Sequence, residues 1–302
     1  MQKKYHWIGY LLPPLVVIGG FFAVRFMVQR SFVNEERFGQ GNEKVLRSFY
    51  DNASLYTSTC DDVLPTSHVI AGITSHHFLA QGLITNFFCG VENIPRHVII
   101  VSPDHFNRFH DQKTIAYVTA LSWDTPFGAV ANDTALFERI DTLPGVEINN
   151  TPFFMEHGVY TLVPFVAKYF SGVEVTSLVV NAKADQEMLS ALGKEIRHMA
   201  DDDTILVVSS DFSHHGDVQT TLSRDEKSLD ALAHFSSETV DDIICDCPSC
   251  MVFLRGYVGD DRAFVVRDHK NSMDYSGADT DITSYVSGYF VLKDPIFVGK
   301  KR

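Results

Sequence analysis

Apolar, β-branched runs that stop at histidine recur along this 302-residue chain, and they limit its fold more than any other feature. Residues 69–74 run into Ser75-His76-His77, and residues 97–102 into Pro103-Asp104-His105. Residues 204–209 run into Ser210-Asp211-Phe212-Ser213-His214-His215. Between them lie stretches with helical spacing at 78–88, 132–140 (capped by Asn132), 159–170, 185–199 and 223–235, and further strands are predicted at 115–119, 173–181 and 284–292. The strand runs have no polar face, the pattern of parallel strands covered by helices on both sides. Strands and helices in alternation predict an α/β three-layer sandwich with a largely parallel central sheet.

In an open α/β sheet, loops beyond the carboxyl ends of neighbouring strands share one crevice. His76, His105 and His214 can meet there, together with His157, which follows the aromatic run Phe153-Phe154-Met155-Glu156. Imidazole is the commonest metal ligand and a proton carrier near neutral pH, so the crevice is predicted to be a metal or acid/base site. Asp211 is placed to orient His214 or to cap a turn. Glu156 reads either as the orienting partner of His157 or as half of a structural ion pair. His77 and His215 are second members of pairs, and adjacent side chains on extended backbone point to opposite sides, so both are set aside. His6, His68, His97, His198, His234 and His269 lack such a context and read as structural.

A net charge of −13 and no basic run argue against a nucleic-acid backbone as the main partner. Residues 5–24 contain no Asp, Glu, Lys or Arg, and about 20 such residues suffice to cross a membrane. Val24-Arg25-Phe26-Met27 is a poor cleavage site for a signal peptide. Residues 1–30 are therefore predicted to be a single-pass membrane anchor, 31–62 a polar linker, and 63–302 the α/β domain. Glu35-Glu36 incline the catalytic domain to the extracytoplasmic side. Of the 5 cysteines, Cys60, Cys89, Cys245, Cys247 and Cys250, three fall within six residues. An odd number so crowded does not read as a disulfide framework. Cys247-Pro248-Ser249-Cys250 comes late in the chain for a redox motif, and no second CxxC exists to close a four-ligand zinc site.

The order of the motifs resembles the Memo family, called AmmeMemoRadiSam system protein B in prokaryotes. Ile73-Thr74-Ser75-His76 is similar to a family strand ending in Pro-His, with Ser75 in place of the proline. Val101-Ser102-Pro103-Asp104-His105, Ser122-Trp123-Asp124-Thr125-Pro126-Phe127-Gly128 with Asp133, and Glu156-His157 with Pro164-Phe165 follow in family order. Gly158 and Tyr160 replace a Ser and a second Glu. Ser209-Ser210-Asp211-Phe212-Ser213-His214 and Tyr285-Val286-Ser287-Gly288-Tyr289 complete the set, which runs from 69 to 291. The resemblance implies the fold of class III extradiol dioxygenases and a mononuclear metal on His76, His105 and a third residue. That residue is a Cys in Memo proteins and a Glu in the dioxygenases, where it completes a facial triad suited to Fe(II). Here the proline after Cys247 favours Cys247, spacing to Val252-Phe253-Leu254 favours Cys245, and Asp246 between them leaves a carboxylate open. The implied cofactor is one divalent or redox-active ion, Fe(II) or Cu before Zn. His214 takes the acid/base role, with Asp211, His157 and Glu156 as the rest of the catalytic set. Two functions follow: a metal-dependent, dioxygenase-like redox enzyme acting on a small molecule, or a metal-binding or scaffold protein without turnover.

Overall fold

The computed structural model describes residues 45–60 and 63–292, all within one compact unit. The strands are β1 (Val45–Arg47), β2 (Ala71–Thr74), β3 (His97–Pro103), β4 (Ala116–Val118), β5 (Ser122–Thr125), β6 (Gly128–Asn132), β7 (Val146–Ile148), β8 (Glu174–Val180), β9 (Thr204–Ser209), β10 (Arg262–Asn271) and β11 (Ser284–Leu292). The α-helices are α1 (Gln81–Cys89), α2 (Thr134–Ile140), α3 (His157–Tyr160), α4 (Val163–Tyr169), α5 (Gln186–Met199), α6 (Val218–Ala233), α7 (Pro248–Val258) and α8 (Ser272–Ser276). All strands join one mixed sheet in the order β1-β5-β6-β8-β3-β9-β2-β11-β10, with β4 against β8 and β7 against β4. Its middle, β6-β8-β3-β9-β2, is parallel throughout. β11 and β10 extend it antiparallel.

Successive side chains of a strand point to opposite faces, and the central strands are apolar on both. Val98 and Ile100 of β3 enter one core with Phe87 and Phe88 of α1 and Phe165 of α4. Ile99 and Val101 enter the other with Leu192 of α5, Leu232 of α6 and Phe253 of α7. The fold is thus α/β with a large, mostly parallel sheet and helices on both faces. Five parallel strands side by side aim their carboxyl ends one way, which is what gathers distant histidines.

Several expectations are corrected. Asp133, not Asn132, caps α2, accepting the Leu136 N–H at 3.0 Å. α6 begins at Val218 because Asp217 accepts the Thr220 N–H at 2.8 Å. β1 lies in the stretch expected to be linker, pairs parallel with β5 and buries Leu46 completely. Four of the five cysteines are paired: Cys60–Cys89 and Cys247–Cys250, with Cα separations of 5.7 and 5.2 Å, inside the span a disulfide bridges. The expected membrane localisation is corrected too. Among the described residues no helix is long and apolar enough to cross a membrane, and residues 5–24 lie outside them. The single-pass, extracytoplasmic assignment is withdrawn on that finding.

Candidate metal centre

Two residues past β2 stands His76, two past β3 stands His105, and two past β9 stands Asp211. The three strands are neighbours in the sheet, with β9 between β3 and β2, so these residues share its carboxyl edge. α3 adds His157 from the side, with Glu156 as its N-cap. Gly158 is what lets that turn sit so low. A Cβ there would collide with the Ser102 hydroxyl of β3, which accounts for glycine at this position. The segment before α7 brings in Asp246.

Each inner imidazole is held by its far nitrogen. His76 Nδ1 lies 3.0 Å from Ser209 Oγ. His105 Nδ1 lies 2.6 Å from Glu156 Oε1, and the backbone N–H of His105 donates to Glu156 Oε2 at 3.0 Å. Such outer contacts fix ring orientation and leave the near nitrogen for a ligand. The near nitrogens converge: Nε2 of His76, His105 and His214 stand 3.1, 3.5 and 3.9 Å from Asp246 Oδ2. His157 completes the cluster, its ring centroid 3.8 Å from that of His105 and 4.9 Å from that of His76. Candidate ligand atoms of His76, His105 and His157 all lie within 4.8 Å of one another, as do those of His76, Asp211 and Asp246.

Asp246 is itself braced. Its Oδ1 accepts the Ser210 hydroxyl at 2.7 Å and the Asp211 N–H at 3.1 Å, while its own N–H donates to Asp211 O at 2.9 Å. Asp211 is turned the other way: its Oδ1 accepts the Ser75 hydroxyl and the His76 N–H. It therefore anchors the His76 loop, with its Oδ2 still 3.8 Å from His76 Nε2. Asp246 Oδ2 and His214 Nε2 are both buried without a hydrogen-bond partner among the described residues. An anionic oxygen ringed by imidazole nitrogens is a donor set that a cation satisfies.

The electrostatics agree. Burial would lower His76, but the Asp211 and Asp246 carboxylates outweigh it and hold the ring above the usual histidine range. At His105 burial is again outweighed, by Asp246 and Glu156, and its pKa is raised to about 10. Burial opposes ionisation of Asp246, yet His76 and His105 pull it well below the usual carboxylate range. Burial, then His76 and His105, push His157 down to about 2, so this ring is neutral. Burial likewise lowers His214. The pocket calls for positive charge beside Asp246 and keeps two further imidazoles neutral around it.

The cysteines expected as ligands are placed otherwise. Cys247 is bonded to Cys250, is buried, and accepts the Cys250 N–H at 3.2 Å as the N-cap of α7. Residues i and i+3 of a first helical turn face each other, so this CxxC closes on itself and offers no thiolate. Cys245 keeps its thiol, but burial and then Asp246 push it up to about 12. The residue beside the imidazoles is Asp246, between them in sequence. His77 and His215 have partners of their own, Tyr285 Oη at 2.6 Å and Asp281 Oδ1 at 2.7 Å. Ser75, Ser209 and Ser210 support the site, yet the sequence marks that role only by position, each adjoining a strand end that carries a candidate.

Comparison with known proteins bears on the family. The Memo-like protein family model matches residues 84–289. A MEMO1 family protein of Aquifex aeolicus is 23% identical over 211 residues, covering 66% of this chain and 76% of the relative. One from Saccharolobus solfataricus is 22% identical over 221 residues, covering 68% and 75%. Among solved structures, an uncharacterized protein from Escherichia coli K12 superposes with a TM-score of 0.51 at 11% identity, over 74% of this chain and 99% of that one, a likeness of fold alone. With the family model spanning most of its length and the histidine loops on one edge of the sheet, the chain belongs to the Memo family.

Proposed function

We propose that the chain holds one metal ion on His76, His105 and Asp246 and uses it in dioxygenase-like or other redox chemistry on a small molecule. The observation that carries this reading is the convergence of three Nε2 atoms on Asp246 Oδ2, a buried oxygen without a hydrogen-bond partner among the described residues. Two imidazoles and one carboxylate are the donor set suited to Fe(II) with coordination positions left open. When bound, such an ion supplies Lewis-acid and redox chemistry to a substrate in the crevice. The chain's own residues do the rest. Ser209 and Glu156 fix the two ligand rings, and Asp211 is a positioning residue for the His76 loop. His214, neutral and facing Asp246, takes a proton from a substrate hydroxyl at Nε2. His157 presents a second neutral ring to the crevice. The same reading makes the sandwich one of the class III extradiol dioxygenase type.

The test is metal content and oxygen uptake of full-length protein, purified and reconstituted anaerobically with Fe(II). Asp246→Asn and His76→Ala are expected to lose one equivalent of iron, with folding checked by thermal melts, and Cys245→Ser to keep it. Iron retained by Asp246→Asn would remove the carboxylate from the ligand set. Iron bound at full stoichiometry with no oxygen consumption, across a panel of catechol-type phenols and other small reductants, would favour the scaffold reading instead.

A further inference from the structure

At the opposite end of the same strands lies a second cluster. His97 opens β3 and Glu174 opens β8, and the two are register partners in the parallel ladder. Asp133 follows β6, whose Asn132 pairs with Val175. Three adjacent strands thus bring an imidazole and two carboxylates to the amino edge of the sheet. Eight residues of nearly extended chain separate His97 from His105, so the two clusters are roughly 25 Å apart.

From this arrangement we infer that His97, Asp133 and Glu174 form a divalent-cation site distinct from the His76 centre. His97 Nδ1 is 2.8 Å from Asp133 Oδ2 and 3.6 Å from Glu174 Oε2. Donors each about 2.0–2.2 Å from one zinc ion would stand that far apart at angles of roughly 85–120°. A plain ion pair is the competing account, and one observation counts against it. Nδ1 is buried and has no hydrogen-bond partner among the described residues, although a carboxylate oxygen sits 2.8 Å away. The ring proton is not aimed at that oxygen; nitrogen and oxygen instead flank a common space. Asp133 is free to serve, because its Oδ1 alone caps α2. Its side chain is 4% exposed, which holds Oδ2 in place. On the other side of the ring, Asp201 Oδ2 lies 3.9 Å from Nε2, beyond hydrogen-bond distance, and adds negative charge beside the site. An adjoining cavity of about 120 Å³, lined by His97, Asp133, Asp201 and Thr204, has room for the waters that complete a coordination sphere. Arg139 also lines it, but its guanidinium is engaged by Met199 O at 2.7 Å. Imidazole with carboxylates suits zinc, and an ion here would clamp three strand ends to the start of α2.

The experiment is equilibrium dialysis of the full chain against Zn(II), with bound metal counted per chain. To separate the sites, the background is His76→Ala/His105→Ala. That background protein is expected to retain one zinc. Adding Glu174→Gln, a change at a half-exposed side chain, should weaken that zinc at least 10-fold, and adding His97→Ala should abolish it. Thermal melts check that each variant folds, and zinc should raise the melting temperature of the background protein but not of its His97→Ala derivative. A background protein that binds no zinc, or that binds it unchanged after Glu174→Gln and His97→Ala, would overturn the inference. Wild-type stoichiometry read beside it reports the His76 centre independently.

Discussion

Glu156 shows how one side chain sets the chemistry of a neighbour. Its two oxygens take the Nδ1 and the backbone N–H of His105, and Oε1 also accepts the Gly158 N–H at 2.9 Å. With Asp246 on the other side, this holds His105 protonated to about 10. A protonated imidazole cannot ligate, so metal and proton compete for the ring. The sign follows: at pH 7 uptake of the ion must expel the His105 proton, and apparent affinity rises with pH until that ring titrates by itself. His76, also raised, adds to the release. Calorimetric titration in two buffers of different ionisation heat measures the protons expelled. We expect clear release from the wild type and less from Glu156→Gln, which lowers the His105 pKa. Equal heats in both buffers for the wild-type protein would contradict the linkage. Cys245 offers a contrast at the same scale: a thiol pushed up to about 12 is nearly all protonated at neutral pH and a poor competitor for the ion.

At the scale of elements, the helix that follows Asp246 is held by a close crossing. α5 and α7 touch through glycines: a Cβ at Gly193 would strike the Phe253 carbonyl, and one at Gly256 the Ser190 carbonyl. Neither obstacle is a flexible side-chain tip. Overpacking of this kind costs about 1–3 kcal/mol. Gly256→Ala is therefore expected to lower the melting temperature and to weaken metal binding, since moving α7 moves the segment carrying Asp246. Gly82→Ala in α1 is the control. Its Cβ would meet only Ser58 Oγ, at 3.7 Å, and alanine there should raise stability by up to about 1 kcal/mol. A Gly256→Ala protein that melts like the wild type would show the helices are free to separate. The contrast also explains what the sequence disclosed. β2, β3 and β9 are apolar on both faces and end at His76, His105 and Asp211, so strand and site residue were legible together. β10 was not, because this edge strand is only half buried, with Val265 and Val266 exposed. Nor could spacing choose among Cys245, Asp246 and Cys247. That choice depends on how the first turn of α7 meets the β9 loop, and on a disulfide that removes one contender. His97 looked structural because nothing in its own segment reveals that Asp133 and Glu174 arrive beside it.

Across the whole molecule, the stretch before β2 acts as a strap. β1 adds an edge to the sheet, and Tyr56 drives into the α1/α4 core, with its ring 5.2 Å from that of Phe78 and 5.1 Å from that of Phe165. Lys168 Nζ donates to the Tyr56 and Ser58 carbonyls at 3.4 and 3.3 Å. Cys60–Cys89 then fastens the strap to the last residue of α1, across a sequence separation of 29, against 3 for Cys247–Cys250. The longer loop removes more freedom from the unfolded chain: by loop-closure entropy it contributes about 3–4 kcal/mol and the short one about 2. The two bonds should differ in kind as well as in size. Cys60→Ser/Cys89→Ser is expected to lose about 3–4 kcal/mol in urea unfolding while keeping its metal, because none of His76, His105 and Asp246 comes from the strap. Cys247→Ser/Cys250→Ser should lose less stability but weaken the metal, since Asp246 immediately precedes the short bridge. Urea titrations and metal content of both double variants decide this. Metal lost equally from both, or a strap variant as stable as the wild type, would refute the division of labour between the two disulfides.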